Sequence, residues 1–179
     1  MRRRPLQALL LTMLVLCAAA LSACGSSDEG PAIEGEPVEL GELTYNVQIT
    51  RFLNPDSLED ANYLEGQPPA PADAEYLAVF LRIDNDGDST ETLPDSFQIR
   101  DTRDETFDAI ESDSPFALQF GAEVEPDGTY PPLDTPARSG PIKGSMLLFA
   151  IPDAATENRP FELEIPGPDG ETGVVELDL

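Results

Sequence analysis

From residue 43 to the end of the chain, hydrophobic positions recur mostly at every second residue. In "LTYNVQI", Leu43, Tyr45, Val47 and Ile49 share one face while Thr44, Asn46 and Gln48 share the other. That alternation predicts a half-buried strand. "EYLAVFLRI" (75–83) puts Leu77, Val79, Leu81 and Ile83 on one side and Tyr76, Ala78 and Phe80 on the opposite side. Both faces are apolar, so a central strand is predicted, and "GSMLLFAIP" (144–152) reads the same way. Shorter strands are predicted at 97–99 and 106–110 around the polar turn "DTRDE". "FELEI" and "VVELDL" alternate on either side of "PGPDGETG", whose Pro, Asp and Gly residues favour chain reversal. Phe116, Leu118 and Phe120 also alternate and predict one more strand inside a long connection. Helical periodicity is absent, and 18 prolines oppose long helices. The pattern describes an all-β domain, a sandwich or open barrel of about seven short strands.

The start of the chain follows a different pattern. Arg2, Arg3 and Arg4 precede an apolar run over residues 6–21 broken only by Gln7 and Thr12. A basic segment, a short apolar segment and small residues after it form a secretory signal, and the run is short of the ~20 apolar residues that a permanent span requires. "LSAC" (Leu21, Ser22, Ala23, Cys24) matches the bacterial lipobox. That match implies cleavage between Ala23 and Cys24, diacylglyceryl attachment to the Cys24 sulfur, and acylation of the new N-terminus. Two or more acyl chains anchor a protein stably where one does so only marginally. The alternative is an ordinary signal peptidase that releases a protein with a free thiol. The expected organisation is a signal peptide over residues 1–23, a lipidated Cys24 with a small, acidic, flexible tether to residue 37, and one sandwich domain over 38–179.

Charge narrows the partners. The net charge is −25, and removing residues 1–23 takes three of ten basic residues and none of 35 acidic ones, leaving −28. Such a surface repels phosphate backbones, so no nucleic-acid partner is expected. The chain has no His, no Trp, and no Cys besides Cys17 in the leader and Cys24. Zinc sites of His and Cys, Ser-His-Asp and Cys-His catalysis, and a disulfide within the mature domain are all excluded. With acids this abundant, a pair of carboxylates at glycosidase spacing arises by chance, and no specific constellation marks an enzyme.

Two features invite chemistry. "DNDGDSTE" (84–91) brings Asp84, Asp86 and Asp88 close together, and calcium prefers clustered carboxylate oxygens. EF-hand spacing fails, because aligning Gly87 with the loop glycine puts Arg82 at the first ligand position. The competing reading is a polar turn after the central strand. The second feature is the extra apolar faces of the two central strands, Tyr76, Ala78 and Phe80 on one, Met146, Leu148 and Ala150 on the other. A sandwich sheet normally buries one face. Tyr76, Phe80, Met146 and Leu148 therefore either lie beneath the long connections at 54–74 and 111–141 or form a docking patch for an envelope protein. Phe116, Phe120 and Tyr130 in the second connection are expected to close the end of the core.

The strand "YLAVFLRIDN" ending at Asn85, the turn "DTRDETF" with Asp101, Asp104 and Phe107, and "GSMLLFAIP" with Gly144, Phe149 and Pro152 resemble a known pattern. It belongs to a family of bacterial surface-lipoprotein domains of unknown function, related to a secreted mycobacterial immunoprotective antigen. The resemblance covers most of residues 39–165. It implies an immunoglobulin-like antiparallel β-sandwich of about seven to eight strands on the extracytoplasmic face of a cell membrane, and no catalytic residues. Asp104 stands where the family prefers Gly, a substitution Asp tolerates better than most residues. The function expected is a non-catalytic binding module held by the Cys24 lipid, without a dissociable cofactor. The alternative is a small-ligand or calcium-binding lipoprotein.

Overall fold

The computed structural model describes residues 30–168 and 170–179. The predicted leader, the Ala23–Cys24 cleavage point and the lipidation site lie outside them. Residues Pro31–Leu179 form one compact unit built of twelve strands: β1 (Ala32–Ile33), β2 (Pro37–Leu40), β3 (Leu43–Leu53), β4 (Ala74–Asn85), β5 (Glu91–Thr92), β6 (Gln98–Arg100), β7 (Thr106–Asp108), β8 (Glu123–Val124), β9 (Thr129–Tyr130), β10 (Ser145–Pro152), β11 (Phe161–Pro166) and β12 (Thr172–Leu177). Eight of these have three or more residues and carry the architecture; the other four are two-residue pairings. The helices among the described residues are single turns, α1 (Leu58–Ala61) and α2 (Pro136–Ser139).

Two sheets face each other. One runs β10-β4-β3-β2, with β9 also on β4; the other runs β1-β12-β11-β6-β7; β5 and β8 pair separately. The ladders are antiparallel except β1 on β12, which is parallel. The predicted sandwich is thus the observed one. Leu77, Val79, Leu81 and Ile83 of β4 and Leu147, Phe149 and Ile151 of β10 meet Ile99, Phe161, Leu163, Ile165, Val175 and Leu177 from the other sheet in the main core. Gly144 sits where β10 approaches β4: a Cβ there would lie 3.1 Å from the Leu81 backbone N and O, so a side chain would push the strands apart.

Three expectations are corrected. The sandwich begins before residue 38, because Ala32 and Ile33 pair with Val175 and Glu176. The Glu34 carboxylate then accepts from the Thr50 N–H (3.1 Å) and the Asp178 N–H (3.2 Å), tying both sheets to the segment expected to be tether. Residues 116–120 are not a strand; the segment makes an isolated parallel bridge, Ala117 to Met146. Finally, Ile49 does not share a face with Val47. The β3–β4 register slips between them, so Val47 opposes Leu81 and Ile49 opposes Phe80. A bulge reverses the alternation downstream, turning Ile49, Arg51 and Leu53 outward.

Candidate functional site

The bulge at Gln48 prepares the second apolar face. Leu53 joins Tyr63, Tyr76, Ala78, Phe80, Met146 and Leu148 in a separate buried cluster, with Leu64, Ala70, Ile110, Phe116, Ile142 and Ala150 packed against it. Tyr63, Leu64 and Ala70 of the 54–73 connection lie over this face, and Ile110, Phe116 and Ile142 of the second connection pack against it. Of the four residues proposed as a partner surface, Tyr76 is 6 % exposed, Met146 1 %, and Phe80 and Leu148 0 %. They are interior, and the docking-patch reading of these side chains is wrong; burial under the connections takes its place. Phe116 belongs to this second cluster, whereas Phe120 and Tyr130 border the main core.

The cover over residues 54–73 is anchored at defined points. Tyr63 stands edge-on to Phe80 (centroids 5.0 Å, 73°) and to Phe116 (4.7 Å, 63°). The buried Asp60 carboxylate accepts from the Arg51 guanidinium (2.6 Å) and the Asn54 N–H (3.0 Å). Arg51 reaches it only because the bulge turned that side chain outward. The Tyr76 hydroxyl donates to the Pro68 carbonyl (3.1 Å). Between these anchors lies a cleft of about 460 Å³ with mostly apolar walls, among them Pro55, Ala61, Leu64, Pro68, Ala70 and Tyr76. Sequence reasoning singled out the length of this connection but not the cleft, since the Arg51–Asp60 pairing depends on a bulge that the alternation does not announce.

The acidic turn after β4 is organised by Asn85, which is buried. Its amide donates to the Ser89 and Val124 carbonyls (2.8 Å each), and its oxygen accepts from the Gly87 N–H (3.0 Å). Asp84 accepts from Arg82 (2.9 Å) and the Thr129 hydroxyl (2.7 Å), while Asp86 accepts from the Thr44 hydroxyl (2.8 Å). Asp86 and Asp88 open instead into a basin of about 430 Å³ shared with Glu39 and Glu42. Asp84 does not line that basin, so the three predicted ligands are not brought to one point. Among the described residues no three acidic side chains gather with metal-holding geometry.

At the other motif, Asp101 is 4 % exposed and organises the β6–β7 turn. Its Oδ1 accepts from the Arg103 and Glu105 N–H groups (2.8 and 2.9 Å), and its Oδ2 accepts from the Asn158 amide (2.8 Å). Asp104 has φ of 62°, the left-handed conformation that the resemblance assigns to Gly. We expect Asp104→Gly to relieve this strain and raise Tm by about 1–3 °C, and Asp104→Val to lower it, in thermal denaturation followed by circular dichroism. The Arg100 contact forfeited by the glycine variant is long (3.4 Å) and exposed, and offsets little.

No protein-family model and no curated protein matches the sequence. Solved structures match the fold. An uncharacterised β-sandwich protein of Clostridium difficile has 12 % identity and a TM-score of 0.50, over 87 % of this chain and 99 % of its own. MPT63, a secreted protein of Mycobacterium tuberculosis, has 10 % identity and a TM-score of 0.51, over 83 % and 99 %. YcdA of Bacillus subtilis, described as a candidate lipoprotein, has 13 % identity and a TM-score of 0.52, over 81 % of this chain but 38 % of that one. At these identities the likeness is one of fold: the chain is an antiparallel β-sandwich. The likeness to a secreted mycobacterial protein, expected from the motifs, is found in the fold.

Proposed function

We propose that the chain is an extracytoplasmic lipoprotein, anchored through Cys24, whose sandwich is a non-catalytic module binding a protein of the cell envelope. The observation that carries this reading is "LSAC" closing a basic-then-apolar leader directly ahead of a compact domain. Two fold neighbours described as a candidate lipoprotein and as a secreted protein are consistent with it. Three of the carboxylates, Asp60, Asp84 and Asp101, are each engaged in holding a turn or cover, a structural role that suits a module without chemistry. The test is incorporation of labelled palmitate in the native host. Wild-type chain is expected to take up label and to remain with membranes until detergent is added. Cys24→Ala is expected to lose both properties, and unchanged labelling would refute the anchor.

The alternative reading, a calcium or small-ligand lipoprotein, has the Glu39, Glu42, Asp86 and Asp88 basin as its support. On the first reading millimolar calcium leaves the unfolding temperature unchanged; a saturable rise would favour the second.

A further inference from the structure

The cleft in the 54–73 cover combines three properties. Its walls are mainly apolar, and Leu58, on the same single-turn helix as the wall residue Ala61, is 91 % exposed, the most exposed large apolar side chain among the described residues. Secondly, the cleft is pre-formed. Asp60 fixes the helix, Tyr76 fixes Pro68, and Tyr63 roots the segment in the second cluster. Pro55, Pro68, Pro69 and Pro71 restrict its backbone, so little ordering entropy opposes binding. Thirdly, its charge has one sign. Residues 54–73 contain five carboxylates and no Lys or Arg. Asp56, Glu59, Glu65 and Asp73 are exposed, while Asp60 is buried against Arg51.

These properties select the occupant. Two copies of the chain meeting at this cover would bring like charges together, and anionic lipid headgroups would be repelled. Resting on the reading of the chain as a protein-binding module, we infer that this cleft docks a short protein segment presenting a large apolar side chain flanked by Lys or Arg. The apolar residue fills the cleft against Pro55, Ala61 and Leu64, while the basic flanks meet Glu59 and Glu65, which lie beside the wall residues Ala61 and Leu64 in sequence. Screening length at physiological salt is about 8 Å, so the cations must lie within a few residues of the anchor. The apolar contact supplies most of the residence time and the carboxylates the orientation and encounter rate.

The test uses the mature chain isolated from membranes in a non-ionic detergent, with dye-labelled Lys-Lys-Leu-Phe-Lys-Lys as probe and detergent alone as blank. Fluorescence anisotropy is expected to show saturable binding to wild type. Ala61→Asp, and separately a Glu59→Lys, Glu65→Lys double variant, are expected to weaken it at least tenfold without changing Tm, since all three positions are exposed and Ala61 lines the cleft. Lys-Lys-Gly-Gly-Lys-Lys and Glu-Glu-Leu-Phe-Glu-Glu are expected to bind at least tenfold more weakly than the probe. Absence of binding, equal binding of the glycine peptide, or undiminished binding to Ala61→Asp would each overturn the proposal. Palmitate labelling keeps the two readings apart: a labelled chain that ignores the probe remains an anchored module with a different docking surface.

Discussion

Replacing Phe80 by Ala is expected to destabilise the protein by about 3–5 kcal/mol, a large share of the 5–15 kcal/mol that holds a domain of this kind together. Phe80 is fully buried on the outward side of β4, opposite Ile49 of β3 and Met146 of β10. Removing its ring leaves a cavity beneath the cover and deprives Tyr63 of one of its two edge-on aromatic neighbours. The surroundings cannot close this void readily, because β4 and β10 are held in register by the main core on their other side. Urea denaturation should show a lower midpoint with the slope preserved. A double-mutant cycle with Tyr63→Ala should give a coupling of about 0.5–1.5 kcal/mol, that of an aromatic pair beyond its burial. Were Phe80 a surface residue, truncation would move stability by no more than about 0.5 kcal/mol, and that outcome would return this face to the role of docking patch.

What alternation makes legible, and what it does not, follows from this face. A period of two identifies β4 and β10 and shows that both their sides are apolar. It does not say what covers the second side, because the cover is irregular and its anchors are distant in sequence. The bulge at Gln48 is the clearest case. One extra residue sends Ile49 to the opposite side from Val47, and the hydrophobic string "LTYNVQI" carries no mark of it. Yet that reversal delivers Arg51 to Asp60 and Leu53 to the second cluster. The start of the domain escapes the alternation for a similar reason. Residues 31–37 lack periodicity and are rich in Gly, Pro and Glu, but they are held by a parallel pairing to β12 and by Glu34 bonds to residues 16 and 144 positions away. The turn motifs were more legible. The left-handed backbone at Asp104 and the Asn85 bonds to Gly87 and Ser89 depend on local chain geometry, which short sequence patterns record well, whereas the Asn85 bond to Val124 does not.

Asp101→Ala is expected to cost about 2–4 kcal/mol, because it leaves the buried Asn158 amide unpaired, at about 1–3 kcal/mol, and releases the part-buried Arg103 and Glu105 N–H groups to water. Asp101→Asn is the more informative variant. Burial alone would raise the Asp101 pKa, but the hydrogen bonds from Asn158, Glu105 and Arg103, with the Arg103 charge, outweigh it and hold the carboxyl below its ordinary value. The unfolded chain therefore takes up this proton first as pH falls. The stability the charge confers is fully present above the unfolded pKa of about 3.9 and is lost as pH falls through the lower folded value. Asn keeps an acceptor for the two N–H groups but turns a second amide toward Asn158, so it should be less stable than wild type at pH 7. That difference should shrink from about pH 4 downward as wild type loses its carboxylate. Acidification also relieves repulsion among the many other carboxylates, but it does so in both proteins, and the effect largely cancels in the difference. Paired urea titrations at pH 7, 5 and 3 measure it directly; a gap of constant size across that range would mean that the Asp101 charge contributes nothing to holding the β6–β7 turn.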